Sequence, residues 1–273
     1  MKKIALIINY DKENALETAQ NLLSLMSGKA EFYCLPEDEG KLSNIKALPA
    51  DELFSECSIA AVLGGDGTII SAAKKCASHK TVLLGINTGH LGYLSMLESS
   101  NLQKASEILL SDDIHYDERY MLCVTVHQGE NKSQFHALNE IVLSRESSSH
   151  LMNFTAYSDD KTVCRYRADG IIAATPTGST AYSLAAGGPI VSPDAEAMLL
   201  TPICPHMLKA RSIVLPPKKI KLTADKTAQL TVDGQHCAQI SPEDYVTVEK
   251  SHFCARLAHY PNISFFDILQ RKL

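Results

Sequence analysis

A glycine-rich loop that contains one carboxylate is the part of this sequence best suited to chemistry. Gly64-Gly65-Asp66-Gly67-Thr68 follows an apolar run over 59–63 and precedes a helical pattern that starts at Ile69. This order predicts a strand, a turn and then a helix. The first N–H groups of such a helix can bind phosphate, and the glycines allow a ligand to approach the backbone closely and permit positive φ. A carboxylate there repels phosphate unless it binds a metal or accepts a proton from a hydroxyl nucleophile. Asp66 is therefore a candidate general base, and a plain turn capped by Asp66 is the alternative.

A second candidate site is a turn rich in hydroxyl groups. The segment 169–182 runs from an apolar strand into a turn with Pro176 and Gly178 and then into a helical pattern. Four of the six residues at 175–180 carry a hydroxyl group, which is more than a helix cap requires. These groups can bind a base, ribose or phosphate, and Tyr182 can supply an aromatic face.

Together with five further segments, these two blocks resemble the NAD kinase family. The further segments are Asn87-Thr88-Gly89-His90-Leu91-Gly92-Tyr93, Asn139-Glu140, Gly187-Gly188-Pro189-Ile190, Ser212-Ile213-Val214-Leu215-Pro216 and Val232-Asp233-Gly234-Gln235. All occur in the family's order and span most of the chain. Gly-Gly-Asp-Gly alone is shared with phosphofructokinases and lipid kinases, whereas the block at 175–182 and the Asn-Glu pair are more specific. The resemblance implies transfer of the γ-phosphoryl group of ATP to the adenosine 2′-hydroxyl of NAD, which gives NADP.

The resemblance also implies roles for individual residues. Asp66 is the proton acceptor, and Gly67 lies beside it in the nucleotide site. The residues expected to contact NAD or ATP are Tyr93, Asn139, Glu140, His150, Arg167, Asp169, Thr177, Ser179, Thr180, Ala181, Tyr182, Ser183, Leu184, Ala185 and Gln235. His150 is placed only by its distance from Asn139-Glu140, Tyr93 replaces a frequent Phe, and His90 is left out of the catalytic set. Mg²⁺ is expected to be held mainly by phosphates, without a protein metal site.

Asn139 and Glu140 interrupt an otherwise apolar run over 137–143. Adjacent side chains of a regular strand point to opposite faces, so both could not easily contact one ligand. We therefore predict a bulge or local distortion at this pair, with both side chains turned toward the adenosine. The alternative is one buried residue bonded to backbone and one exposed residue.

The predicted elements that must position these residues divide the chain in two. Residues 1–113 alternate strand-like runs at 4–8, 31–35, 59–63 and 81–86 with helical patterns at 13–26, 51–56, after 68 and at 102–110. This alternation predicts an α/β domain with a parallel sheet. Residues 114–260 are mostly strand-like, at 121–127, 134–143, 154–158, 162–167, 220–223, 229–232 and 245–248, with one helix near 179–186. We expect this second domain to be β-rich and to bind the dinucleotide, residues 261–273 to pack back on the first domain, and the active site to lie in the cleft between the domains.

Composition limits the class of protein. The 273 residues carry a net charge of −5 and are 45% hydrophobic, which argues against a nucleic-acid groove and fits a soluble enzyme. No apolar run is long enough for a membrane span, and the run after Met1-Lys2-Lys3 is too short for a signal peptide. Eight scattered cysteines without a CxxC pair predict free thiols and a cytoplasmic location. The resemblance implies a homodimer or homotetramer.

Sequence motifs distinguish three alternative functions. A lipid kinase would use the same glycine loop, but its second block, Pro-x-Gly-Thr-x-Asn-Asp, is missing. A phosphofructokinase would need a Thr-Ile-Asp-type segment, which is also missing. A dinucleotide sensor without catalysis would gain nothing from the Asp66 carboxylate next to phosphate.

Overall fold

The computed structural model describes residues 1–89, 92–95, 97–146, 151–259 and 264–272. It divides into two compact units: Met1–Arg119 with Cys254–Leu273, and Tyr120–Phe253. The sequence places the boundaries at 113/114 and 260/261, whereas the units change at 119/120 and 253/254. None of the described helices is both long and apolar enough to cross a membrane.

The N-terminal part of the first unit alternates strands and helices. The strands are β1 (Lys2–Ile8), β2 (Ala30–Cys34), β3 (Lys46–Ala47), β4 (Ile59–Gly64), β5 (Val82–Asn87) and β6 (Leu97–Glu98), and the helices are α1 (Ala15–Leu25), α2 (Ala50–Glu56), α3 (Asp66–Cys76) and α4 (Leu102–Leu110). The strands pair in parallel in the order β5-β4-β1-β2-β3, with β6 also on β5. Every residue of β4 and β5 is buried, as expected for parallel strands covered on both faces. The predicted α/β domain is confirmed.

The second unit is formed mostly by antiparallel strands. They are β7 (Tyr116–Gln128), β8 (Asn131–Ala137), β9 (Glu140–Arg145), β10 (Met152–Ser158), β11 (Lys161–Ala168), β12 (Gly170–Ala174), β13 (Met198–Ile203), β14 (Ile213–Leu215), β15 (Ile220–Ala224), β16 (Ala228–Val232), β17 (Gln235–Ile240) and β18 (Tyr245–Ala258), with α5 (Tyr182–Ala185) after β12. One sheet has the strand order β14-β13-β12-β9-β16-β17, and a second sheet contains β11-β10-β15-β18 together with β7 and β8. Phe154 and Leu222 of the second sheet share one core with Ile171 and Leu230 of the first. The β-rich architecture is confirmed.

The chain crosses from the second sheet to the first at two short bends. Leu138 and Asn139 form a bend between β8, which pairs with β7, and β9, which pairs with β12 and β16. Asp169 stands between β11 and β12 in the same way. The predicted continuous strand over 134–143 is therefore two strands, and the predicted helix at 179–186 is a 3₁₀ turn over Thr177–Thr180 followed by the single-turn α5.

The C-terminal residues complete the first unit. The last residues of β18 pair in parallel with β5, Arg256 opposite Val82. They lead to α6 (Phe265–Lys272), whose Ile268 is buried. Residues 261–273 are expected from the sequence to pack back on the first domain, and α6 belongs to the unit formed by the N-terminal residues. All eight cysteines are free thiols, and Cys34, Cys57, Cys76 and Cys123 are buried.

Candidate active site

Asp66 is the first residue of α3, directly after β4 and Gly65. Its carboxylate accepts two backbone hydrogen bonds from the loop after β5: Tyr93 N–H donates to Oδ2 at 2.7 Å and Leu94 N–H to Oδ1 at 3.1 Å. Two charge-assisted bonds fix the plane of the carboxylate. A carboxylate has about four lone-pair sites, so each oxygen can still accept a further proton donor.

The glycines of this region matter because they lack a side chain, and not because their backbone angles are unusual. None of Gly64, Gly65, Gly67 and Gly92 has a positive φ, so the conformational freedom expected from the sequence is not used. A Cβ on Gly64 would lie 2.3 Å from Thr68 Oγ1, and one on Gly92 would lie 1.9 Å from Asp66 Oδ1. A Cβ on Gly65 or Gly67 would meet no described atom within 4 Å. Protein packing therefore explains Gly64 and Gly92, while Gly65 and Gly67 leave room for a group to approach α3.

Side-chain bonds hold the loop that contacts Asp66. Asn87 donates from Nδ2 to Ser95 Oγ at 3.0 Å and accepts from Gly89 N–H at 2.7 Å. Gly92 N–H donates to Ser95 Oγ at 3.3 Å. The half-buried Tyr93 ring has the ammonium group of Lys272 5.5 Å from its centroid. His90 and Leu91 lie outside the described residues.

In the second unit, Asp233 organises the bend at Asn139. Its carboxylate accepts N–H bonds from Leu138 at 3.0 Å, Asn139 at 2.8 Å and Glu140 at 3.1 Å, and its own N–H donates to Glu140 O at 2.9 Å. Asp233 itself has φ of 45°, in the turn between β16 and β17. From this motif only Gln235 was predicted as a site residue and Asp233 was not, although the Asp-Gly pair is a signal for a tight turn.

The distortion predicted at Asn139-Glu140 is present. Asn139 ends the bend and Glu140 starts β9, and the two residues are only 8% and 7% exposed. Asn139 O accepts a bond from Thr175 N–H, and a Cβ on Gly178 would lie 2.2 Å from the same oxygen. Asn139 Oδ1 is buried and has no hydrogen-bond partner among the described residues. A buried acceptor of this kind costs stability unless it receives a proton donor.

Most hydroxyl groups of the turn after β12 bond to the protein. Thr175 Oγ1 donates to Leu138 O and accepts from Gly178 N–H. Ser179 Oγ bonds to both backbone groups of Val191, Ser183 Oγ to Thr201 Oγ1, and Thr180 Oγ1 to Thr177 O. These side chains therefore shape the turn. Tyr182 is 44% exposed, and Thr177, Ala181, Leu184 and Ala185 share the same turn and α5.

The predicted dinucleotide residues of this unit form two groups at opposite ends of β12. Ala174 pairs with Glu140, so the turn that starts at Thr175 adjoins the Asn139 bend. Gln235 is exposed beside the Asp233 turn at the same end. Asp169 lies six residues before Thr175, roughly 20 Å along an extended strand. Its Oδ1 is 3.1 Å from Arg145 Nε, and Arg167 is exposed nearby on β11. His150 lies outside the described residues.

Metal ligands are not clustered in the described part of the chain. No group of three or more His, Cys, Asp or Glu side chains there is placed to hold a metal ion. The cysteine and histidine pairs at 204–206 and 236–237 belong to no such group.

Comparisons with known proteins agree over both units. The family model described as the ATP-NAD kinase N-terminal domain matches residues 4–114, and that of the ATP-NAD kinase C-terminal domain matches residues 138–260. Among curated relatives, the NAD kinase of Symbiobacterium thermophilum is 39% identical over 280 residues, which cover 100% of this chain and 99% of the relative. The NAD kinase of Caldanaerobacter subterraneus subsp. tengcongensis is 38% identical with the same coverage.

Two solved structures are also similar. The yeast NADH kinase complexed with NADH superposes with a TM-score of 0.88 at 25% identity, covering 99% of this chain and 86% of the yeast chain. An NAD kinase from Archaeoglobus fulgidus in complex with ATP gives a TM-score of 0.75 at 25% identity, covering 100% of this chain and 98% of the other.

Proposed function

This chain belongs to the NAD kinase family, and we propose that Asp66 takes the proton of the adenosine 2′-hydroxyl of NAD as the γ-phosphoryl group of ATP is transferred to it. The enzyme is a phosphotransferase with an alcohol group as acceptor. A ribose hydroxyl is a weak nucleophile, and a carboxylate within hydrogen-bond reach can take its proton as the new P–O bond forms.

The observation that carries this proposal is the environment of Asp66. The bonds from Tyr93 and Leu94 N–H hold the carboxylate in one orientation, so little reorganisation is needed when a hydroxyl group arrives. The open space beside Gly65 and Gly67 lies at the same end of α3. The first N–H groups of a helix have no intrahelical partner and favour an anion, which suits the phosphates of ATP.

Asn139 supports the proposal that the second unit binds the adenosine. Its buried Oδ1 lacks a donor among the described residues, and an adenine amino group or a ribose hydroxyl would supply one. Glu140 follows Asn139 in the chain and pairs with Ala174 at the end of β12, and Tyr182 starts α5 after the turn that follows this strand. Asp169 and Arg167 lie at the other end of β12 and remain predicted contacts of the dinucleotide, as do Gln235 and His150.

A divalent ion, Mg²⁺, bound mainly by the phosphates would neutralise charge that develops during transfer. We propose that turnover needs residues of both units, which predicts that Asp66→Asn and Asn139→Ala each impair the same reaction. We propose that the chain forms a homodimer or homotetramer, and analytical ultracentrifugation tests this. The proposed compartment is the cytoplasm.

The decisive experiment is an assay of the purified chain with NAD, ATP and Mg²⁺. We expect NADP and ADP in equal amounts, and no phosphorylated product when NAD is replaced by its 2′-deoxyadenosine analogue. Binding of NAD without turnover would instead indicate a dinucleotide sensor. Phosphorylation of diacylglycerol in preference to NAD would indicate a lipid kinase.

A further inference from the structure

The glycine loop of this chain lacks a cation for a triphosphate. Phosphoryl transfer depends on positive groups that neutralise the charge spread over the phosphate oxygens. No Lys or Arg occurs between Gly64 and Ala73, and the first basic residues of α3, Lys74 and Lys75, lie in its last turn. The only charged side chain at the start of this helix is the carboxylate of Asp66. A side-chain cation that acts beside the divalent ion on the donor phosphates would come from another element.

Helix α6 brings a cation to the loop that holds Asp66. Tyr93 links the two groups, because its backbone N–H bonds to Asp66 Oδ2 at 2.7 Å and the ammonium group of Lys272 is 5.5 Å from its ring centroid. Tyr93, Asp66 and Lys272 all belong to the first unit. Lys272 is exposed and has a flexible four-carbon stem, so its ammonium group can shift to a nearby anion.

A buried residue and a cap fix the helix that carries Lys272. Ile268 is only 3% exposed and belongs, like all of α6, to the first unit. Ser264 N–H and Oγ donate to Asp267 Oδ2 at 2.7 and 2.6 Å, and Asp267 N–H donates to Ser264 Oγ at 3.2 Å, which is a reciprocal cap at the start of the helix. A cation in the last turn is also favoured by the helix dipole.

We propose that Lys272 binds the phosphate groups of ATP and serves as the cation that the glycine loop lacks. The inference rests on the proposed binding of ATP at the start of α3. In the free protein the ammonium group lies near the face of Tyr93, and this contact is weaker than a charge-assisted bond to phosphate. Phosphate binding therefore draws Lys272 away from the ring and across the open side of α3.

The test compares charge-removing and charge-keeping variants in the full chain. Lys272→Gln should raise the KM for ATP by roughly ten-fold or more, while the KM for NAD and the melting temperature stay at the wild-type values. Lys272→Arg should restore most of the affinity for ATP. Arg271→Gln is the matched control, because it removes the same charge from the neighbouring exposed position of α6.

Each outcome separates this inference from the proposed function. A Lys272→Gln enzyme with the KM for ATP of Arg271→Gln overturns the inference, and so does an equal rise in the KM for NAD or a lowered melting temperature. A wild-type enzyme that makes no NADP contradicts the proposed function instead. Calorimetric titration with ATP then decides the role of Lys272, since an unchanged affinity in Lys272→Gln overturns it.

Discussion

Asp66 in the first unit and Asp233 in the second use the same device in different surroundings. Each carboxylate accepts backbone N–H groups from a distant segment: Asp66 takes two from the loop at Tyr93-Leu94, and Asp233 takes three from the bend at 138–140. Yet the glycines next to Asp66, Gly65 and Gly67, adjoin open space, whereas the bend held by Asp233 is closed by protein backbone at Gly178. Both aspartates are half-buried, so the difference lies in what adjoins them: the backbone that Asp233 holds is packed against Gly178, whereas open space beside Asp66 leaves room for a reacting group.

The largest expected effect is on turnover when Asp66 loses its charge. Asp66→Asn keeps the shape of the side chain but cannot accept the hydroxyl proton, so kcat should fall by roughly 10²–10⁴-fold. The KM for NAD should change far less, and steady-state assays of NADP formation measure both. An Asp66→Asn enzyme with near-normal kcat would show that Asp66, like Asp233, only positions its neighbours.

A second test moves the Asp66 carboxylate without changing its charge. Gly92→Ala would place a methyl carbon 1.9 Å from Asp66 Oδ1, so the carboxylate must move. Displacement of a catalytic group by about 1 Å can lower kcat on the order of 10²-fold. Gly65→Ala is the control: its Cβ meets no described atom within 4 Å, so the melting temperature should not change. If ATP occupies that space, Gly65→Ala should raise the KM for ATP, and an unchanged value would contradict the phosphate site at α3.

Removal of the Asp233 charge should lower stability and the affinity for NAD, and should affect kcat less than removal of the Asp66 charge. Asp233→Asn directs an amide NH₂ at a backbone N–H of the 138–140 bend, which should lower the free energy of unfolding by about 1–3 kcal/mol and raise the KM for NAD. Denaturant titration measures the first quantity. Asp225→Asn is the control, because exposed Asp225 also accepts a backbone N–H, from Asn153, and should change stability by less than about 0.5 kcal/mol. A larger loss of kcat in Asp233→Asn than in Asp66→Asn would reverse the two assignments.

The smallest expected effect is a change in stability at low pH, caused by a histidine on β8, the strand that leads into the bend held by Asp233. His136 lies on β8, where burial and the neighbouring His252 hold its pKa below the ordinary 6.5. The unfolded chain therefore binds the proton first, and stability falls as the pH drops below 6.5 toward the folded-state pKa. His136→Gln should flatten the fall of the melting temperature over this range, although burial also lowers the pKa of His127. His236→Gln, at an exposed position of β17, should leave the slope unchanged, and a slope that His136→Gln does not alter would contradict this role.

Local patterns predicted the first unit better than the second. The helix expected at 102–110 matches α4 residue for residue, and β4 precedes the glycine loop as expected, because hydrophobic periodicity reports burial within one element. Helix α3 starts at Asp66, three residues before the predicted start at Ile69. The strand β13, although apolar, was not predicted, and β18 runs ten residues beyond the predicted 245–248. Sheet edges and strand lengths depend on partners distant in sequence, which no local pattern contains.

The candidate site shows the same limit. Asp66 could be proposed as a site residue from its type and its glycines. The distortion at Asn139-Glu140 could be predicted from the conflict between strand periodicity and two adjacent polar residues. The link from Asp233 to Asn139 spans 94 residues of sequence, so only the folded chain reveals it. The hydroxyl groups of Ser179 and Ser183 were predicted as ligand contacts, and their bonds to Val191 and Thr201 depend equally on distant residues.

The discontinuous first unit has a consequence for the order in which the chain can fold during synthesis. Residues 120–253 are complete as the second unit before Cys254 leaves the ribosome, whereas the first unit still lacks the end of β18 and α6. Domains generally fold as units as they emerge. We therefore expect the inserted unit to reach its final form first, and the unit that begins the chain to be finished last, when Arg256 pairs beside Val82 and the final helix docks.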